Sequence, residues 1–363
     1  MSEDFLPIKG YDHIEFYVGN AKQAAHFYDK TFGFKPIAKM GLETGSRDKA
    51  SYVMAQGHIR FVLSTAYAPD HEITRLCALH GDGVRAIALT VSDIEASVLE
   101  VKARGGTVLK SPTAQEDEHG TFITAELKYA GDTVFRFVER EHYRGAFAPG
   151  YMPIVTKNSQ PVGTVAIDHI VTNVHLGEMD YWAKWYERVL GFNNLMSFTG
   201  DDISTEYSAL MSKVMENGTG KCKFPINEPA EGKKKSQIEE YLDYNYGPGV
   251  QHIAMSTANI YETVQKLRDR DIDFLKVPDT YYEYMRERIG DVGEDWDKLQ
   301  NLGILVDKDD DGYLLQIFTQ PMQDRPTLFY EIIERHGSRG FGIGNFKALF
   351  VSIEREQALR GNL

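Results

Sequence analysis

The sequence predicts an α+β protein built from two tandem copies of one unit, each copy made of two strand–helix–three-strand (βαβββ) modules. Three observations carry this expectation. The chain repeats: Tyr11 to Phe34 reads like Ile167 to Phe192, Gly83 to Leu109 like Gly249 to Leu275, and Val134 to Arg140 (VFRFVER) like Phe329 to Arg335 (FYEIIER). At 363 residues the chain is long enough for two domains that each bury a core. Each module also opens with a β-rich run and then changes to a helical period that stops at glycine or a polar turn.

The elements follow in order. HIEFYV precedes a helical pattern from Ala21 to Phe32 that stops at Gly33. AIALTV precedes Ile94 to Arg104, which stops at Gly105 and Gly106. HIVTNV precedes Met179 to Leu190, which stops at Gly191, and HIAMST precedes Ile260 to Asp269. A glycine just past the last periodic residue is a common helix stop. Short β-rich runs follow each helix; Ala50 to Thr65 reads as a hairpin with its tip at Gln56 and Gly57. The modules fall near 11–67, 83–140, 165–226 and 249–335. Tyr143 to Pro161, with Pro149 and Pro153, reads as a linker, so residues 1–150 and 162–363 are the expected domains.

The repeats differ where chemistry would sit. At three equivalent positions the first copy carries His13, Ala86 and Arg136, and the second carries His169, His252 and Glu331. Two histidines and one carboxylate form the protein part of a non-haem Fe(II) facial triad. Inward-facing residues on neighbouring barrel strands converge on one point. A lone histidine on an apolar strand is usually a core residue, and His13 is read that way. Glu331 changes the balance, because a carboxylate within TLFYEIIER is costly to bury unless paired or bound to metal. The expectation is a duplicated scaffold with one working metal site, in the C-terminal half.

Composition narrows the partners. The net charge of −13 argues against nucleic acid, which needs a basic face. Cys77 and Cys222 stand at unrelated places, so neither a disulfide framework nor a thiolate zinc site is expected, and a cytoplasmic location fits. MSEDFLPIKG lacks the apolar stretch of a signal peptide, and no run approaches the ~18 apolar residues needed to span a bilayer.

Four further segments stand out. Asp307, Asp309, Asp311 and Gly312 begin like an EF-hand loop, but Phe318 stands where its glutamate is required, so an exposed hairpin turn is expected. Leu314, Gln316 and Phe318 then share one strand face. Pro225 to Asn245 has two readings, a segment from which Asn227 and Gln237 reach a ligand or an ordinary connecting loop and surface helix. Gly340, Gly342 and Gly344 precede a C-terminal helix with Asn345 as N-cap and an aromatic side of Phe341, Phe346 and Phe350. Glycine hinges beside aromatics read as either a lid or a packed terminal helix.

Together DHIVTNV, WYERVLGF, PINEPAEGKKKSQIEEYLDYN, GVQHIA, LLQIFTQPMQDRPTLFYEIIERHG and GFGIGNFKALFVSIEREQALRGNL resemble the 4-hydroxyphenylpyruvate dioxygenase family of the vicinal oxygen chelate superfamily, over nearly the whole chain. The resemblance implies tandem half-open barrels, the first degenerate, with a C-terminal lid helix. It implies one Fe(II) per subunit and conversion of 4-hydroxyphenylpyruvate and O2 to homogentisate and CO2 by oxidative decarboxylation, ring hydroxylation and side-chain migration, in tyrosine and phenylalanine catabolism. A homo-oligomer, dimer or tetramer, is implied as well. By matching position, His169, His252 and Glu331 bind iron; Ser208, Asn227, Gln237 and Gln316 form the polar network around substrate; Phe318, Phe341 and Phe346 wall the ring, with Asn345 among them on the lid. Gln251 is left out, because strand parity points it away from His252. The alternative is 4-hydroxymandelate synthase, which takes the same substrate; Pro225, Asn227 and Phe346 fit the dioxygenase better. Extradiol catechol dioxygenases share the triad but differ in repeats and tail, and a complete triad argues against a metal-free binding module.

Overall fold

All four expected modules are present in the computed structural model, which describes residues 5–156, 159–199, 209–230 and 232–362, apart from a few side chains of the last helix, Phe350 among them. The first module is β1 (Gly10–Tyr17), α1 (Ala21–Lys30), β2 (Lys35–Met40), β3 (Lys49–Gln56) and β4 (Ile59–Ala66). Helix α2 (Glu72–His80) leads to β5 (Gly83–Thr90), α3 (Ile94–Ala103), β6 (Val108–Asp117), β7 (Gly120–Lys128) and β8 (Val134–Glu139). Within the expected linker, β9 (Met152–Pro153) pairs with β2. The third module is β10 (Thr164–Asn173), α4 (Met179–Trp185), β11 (Asn193–Phe198), β12 (Ala209–Glu216) and β13 (Lys223–Ala230). Helix α5 (Gln237–Asn245) precedes β14 (Gly249–Thr257) and α6 (Ile260–Arg268). Two inserted helices, α7 (Asp279–Ile289) and α8 (Trp296–Leu302), come before β15 (Leu305–Lys308), β16 (Tyr313–Phe318) and β17 (Phe329–His336), and α9 (Phe346–Leu359) follows.

The module helices start where side chains cap them. Asn20, Asp93 and Asn259 each accept a hydrogen bond from the amide three residues on, at 3.1, 2.9 and 3.0 Å. α4 lacks such a cap; instead Glu228 on β13 accepts from the amides of Gly177 and Met179. It ends in a π-helical turn, Tyr186–Leu190, before left-handed Gly191.

Paired modules join through their first strands. The first sheet runs β6-β7-β8-β5-β1-β4-β3-β2-β9 and the second β11-β12-β13-β10-β14-β17-β16-β15. At each centre two first strands pair antiparallel (β1 with β5, β10 with β14), and each also pairs parallel with the last strand of a module. Residues of one parity face into the curled sheet. Those of the other parity build a core shared by both sheets, where the Tyr28 and Tyr330 hydroxyls lie 2.6 Å apart and Phe135 stacks on Trp185. Glu331, next to Tyr330, is thereby aimed inward.

Three local expectations need correction. The hairpin tip is Gly57 and His58, not Gln56 and Gly57, because Gln56 still pairs with Ile59. Gly57 has φ of +56° and an added Cβ would lie 2.3 Å from the Val165 carbonyl of β10, so Gly57→Ala should cost more than about 1 kcal/mol. Urea unfolding checks this; a wild-type midpoint would contradict it. The second correction concerns Pro225 to Ala230, which continue strand β13 rather than forming a loop. Thirdly, Asn345 precedes α9 but does not cap it with its side chain. Among the described residues no helix is long and apolar enough to cross a membrane.

Candidate metal centre

His169 on β10, His252 on β14 and Glu331 on β17 come together on one sheet face. Ala254 lies opposite His169 across one strand pair and opposite Glu331 across the other. His252 sits two residues before it on the same face. A small residue at the middle of the triangle leaves room above it. One donor atom from each of the three lies within 4.8 Å of the others. Glu331 Oε2 is 3.1 Å from His169 Nε2 and 3.5 Å from His252 Nε2, close to the roughly 3 Å edge of an octahedron with ~2.1 Å bonds. Among the described residues no other His, Cys, Asp and Glu group converges in this way.

Both imidazoles are turned by their other nitrogen. His169 Nδ1 is 2.8 Å from Asp168, and His252 Nδ1 is 2.9 Å from Gln251 Oε1. With Nδ1–H donated outward, each Nε2 lone pair faces the triangle. Two β-bulges make this possible. The register slips between Ile167 and His169, and again beside Gln251, so Asp168 and Gln251 are extra residues turned to the same side as the histidine that follows. Strand parity, which had excluded Gln251, fails at the bulge: Gln251 lines the cavity.

The electrostatics ask for a cation. Burial pushes the Glu331 carboxyl up, but His169 and then His252 outweigh it and hold it at about 2. Burial pushes His169 down, and Glu331 with Asp168 raises it overall, whereas His252 is lowered, chiefly by burial. Asp168 is held far below the usual carboxylate range despite burial, by Arg335 and His169. A buried carboxylate with two imidazole nitrogens at 3.1 and 3.5 Å, and no Lys or Arg bonded to it among the described residues, fits a divalent ion in the place of the shared protons.

Above the triad lies a cavity that opens in part to solvent. Phe198, Leu210, Val214, Phe318, Phe329, Phe341 and Phe346 give it apolar walls, and Ser212, Asn227, Gln237 and Gln251 supply polar groups. The expected residues Asn227, Gln237, Phe318, Phe341 and Phe346 are therefore gathered on it. Gln316 is 1 % exposed and lies beneath Gly342, whose added Cβ would meet its amide at 2.5 Å; neither amide atom has a partner among the described residues. Asn345 departs from its expected place: it turns from the cavity to accept a hydrogen bond from Tyr281 of α7 at 2.6 Å. Ser208 lies outside the described residues. Ser212 and Phe329 were not anticipated, although Ser212 pairs with Asn227 across β12 and β13 and Phe329 pairs with His252.

The first repeat keeps the frame and fills the site. Asp12, His13 and Arg140 reproduce Asp168, His169 and Arg335, with His13 Nδ1 2.6 Å from Asp12. Ala86 replaces His252, and Arg136 pairs with Glu15 at 2.6 Å and Glu126 at 2.8 Å where the triad would stand. Phe122, Tyr143 and Phe147 pack over it.

The chain is similar to known proteins over nearly its whole length. The profile of the Glyoxalase/Bleomycin resistance protein/Dioxygenase superfamily matches residues 10–136 and 166–317. A 4-hydroxyphenylpyruvate dioxygenase of Danio rerio is 49% identical over 97% of this chain and 92% of its own length. One of Yarrowia lipolytica is 46% identical over 98% and 94%. A solved triple mutant of 4-hydroxymandelate synthase from Streptomyces coelicolor superposes with a TM-score of 0.86 at 30% identity, covering 97% of this chain and 100% of that one.

Proposed function

The chain belongs to the 4-hydroxyphenylpyruvate dioxygenase family within the Glyoxalase/Bleomycin resistance protein/Dioxygenase superfamily, and from this premise we propose how its own residues serve the reaction. It is an oxidoreductase converting 4-hydroxyphenylpyruvate and O2 to homogentisate and CO2. The observation that carries the reading is a buried His169–His252–Glu331 triad lining an aromatic cavity that also carries polar groups.

The triad is a metal site, and we propose Fe(II), one per subunit, because an all N/O facial set suits it. When bound, that ion supplies the open positions and redox chemistry through which a 2-oxoacid and O2 react. The protein's residues do the rest. His169 and His252 present Nε2 because Asp168 and Gln251 hold Nδ1. Asn227 and Gln237 orient the oxygens of the substrate, and Ser212 lies on the same wall. Phe318, Phe341 and Phe346 clamp the ring and exclude water. Gln316 supports the lid from beneath at Gly342, and Asn345 ties the lid to α7 through Tyr281. Ser208 joins the polar network by position only.

We further propose residues 1–150 as a degenerate domain and 162–363 as the catalytic one, in a homo-oligomeric cytoplasmic enzyme of tyrosine and phenylalanine catabolism. The two free thiols suit a reducing compartment. The test is anaerobic loading with Fe(II), then 4-hydroxyphenylpyruvate and O2, with products identified by mass and retention. Homogentisate with one CO2 per O2 is expected. 4-Hydroxymandelate would move the chain to the sister reaction, and no O2 uptake with iron bound would overturn the substrate.

A further inference from the structure

We propose that Arg335 is a positioning residue that couples metal occupancy to the placement of the lid, by holding the orienter of one ligand and the root of the lid in a single guanidinium. Its Nε and one terminal nitrogen donate to the two oxygens of Asp168 at 2.7 and 2.8 Å. Its other terminal nitrogen donates to the Gly340 carbonyl at 2.6 Å and the Ser338 carbonyl at 3.2 Å. The guanidinium carbon stands 5.5 Å from the ring centre of Phe341, whose edge meets the His169 ring at 5.0 Å. The path is short and closed. Asp168 sets His169; Arg335 sets Asp168; the same Arg335 sets Gly340 and Phe341; and Phe341 returns to His169 and walls the cavity.

The first repeat contains the same clamp and serves as an internal comparison. Arg140 holds Asp12 by two bonds of 2.6 Å and the Phe147 carbonyl by a third, and Phe147 meets His13 edge-on at 5.2 Å. There is no triad there, so the clamp is inherited from the scaffold and not from metal binding. What hangs from it differs. Beyond Phe147 the chain runs to β9, which is sewn onto β2. Beyond Phe341 it turns through Gly342 (φ +73°) into α9, with Phe346 over the cavity. The planar fork suits this double task because it fixes direction on two edges at once. If ligation fixes the His169 ring, the constraint passes through Asp168 and Arg335 to the lid, and linkage makes the effect reciprocal.

The proposal rests on His169, His252 and Glu331 as metal ligands and not on iron or the organic substrate, so the probe is Co(II) alone. Calorimetry reads affinity, and amide exchange reads residues 338–346. In the wild type, Co(II) should slow exchange of that segment by about fivefold or more. Arg335→Lys should weaken Co(II) by about tenfold and remove the slowing even at saturation. Arg140→Lys should change neither. Should Arg335→Lys not fold, Asp168→Asn cuts the clamp at its other end and is read in the same way. Bound Co(II) without slowing in the wild type overturns the coupling, as does wild-type slowing in Arg335→Lys. Failure of Co(II) to bind the wild type overturns the metal reading itself, and the coupling with it.

Discussion

His252→Ala should abolish stable metal binding and turnover, with metal affinity falling by more than the ~100-fold upper range seen for outer-shell changes. The ring supplies one of three donors, and its Nδ1 is held by the Gln251 amide where that of His169 is held by the Asp168 carboxylate. Its loss leaves His169 and Glu331, 3.1 Å apart, to close on one another as an ion pair. His13→Ala is the matched control. His13 has the same DHI context, an equivalent aspartate partner and an equivalent aromatic neighbour, and like His169 it lies opposite an alanine, yet Ala86 and Arg136 stand where the other two ligands would be. That variant should keep its metal and lose only stability. Metal content after dialysis and O2 uptake decide the matter; iron retained by His252→Ala, or lost from His13→Ala, would sink the asymmetry between the halves.

The legible part of the site was the part that follows period and repetition. Side chains alternate along strands, and copies keep register, so aligning His13, Ala86 and Arg136 with His169, His252 and Glu331 placed the triad without coordinates. Gln251 was lost because a bulge breaks alternation at that residue, and a bulge has no composition of its own. Pro225 and Pro229 read as loop residues, whereas β13 accommodates both opposite β12. α7 and α8 have no counterpart in the second module, so repetition offered no template for them, nor for the Tyr281 hydroxyl that takes Asn345 out of the cavity. Ser212 was detectable only once strand pairing was known, because it reaches the cavity beside Asn227, whereas Phe329 stands two residues before Glu331 and period two alone puts it on the same face.

Arg136→Met should destabilise the protein by about 3–5 kcal/mol while leaving metal binding intact, because removing one member of a buried ion cluster strands its partners. Arg136 is 16% exposed at its side chain, between Glu15 at 5% and Glu126 at 7%. Burial pushes both carboxyls up, and Arg136 brings them back down, Glu15 to about 2. Lys110 touches Glu126 from solvent and cannot replace a guanidinium that bonds both acids. The pH dependence has a definite sign. With Arg136 present, the stability from Glu15 is full above the unfolded carboxyl value of about 4.3 and fades as pH falls towards about 2. Without Arg136 the buried acids prefer to be protonated, so the variant gains as pH falls, and the gap to wild type should narrow below about pH 5. Denaturant titrations at pH 7 and pH 4 measure both points. A triple variant, Glu15→Leu with Glu126→Leu and Arg136→Met, separates two explanations. If the ions merely fill the space where the other half holds metal, an apolar filling of similar volume should recover most of the loss. If it does not, the cluster fixes the curl of the first sheet, and charge there takes the structural part that a metal would take at the triad of the second.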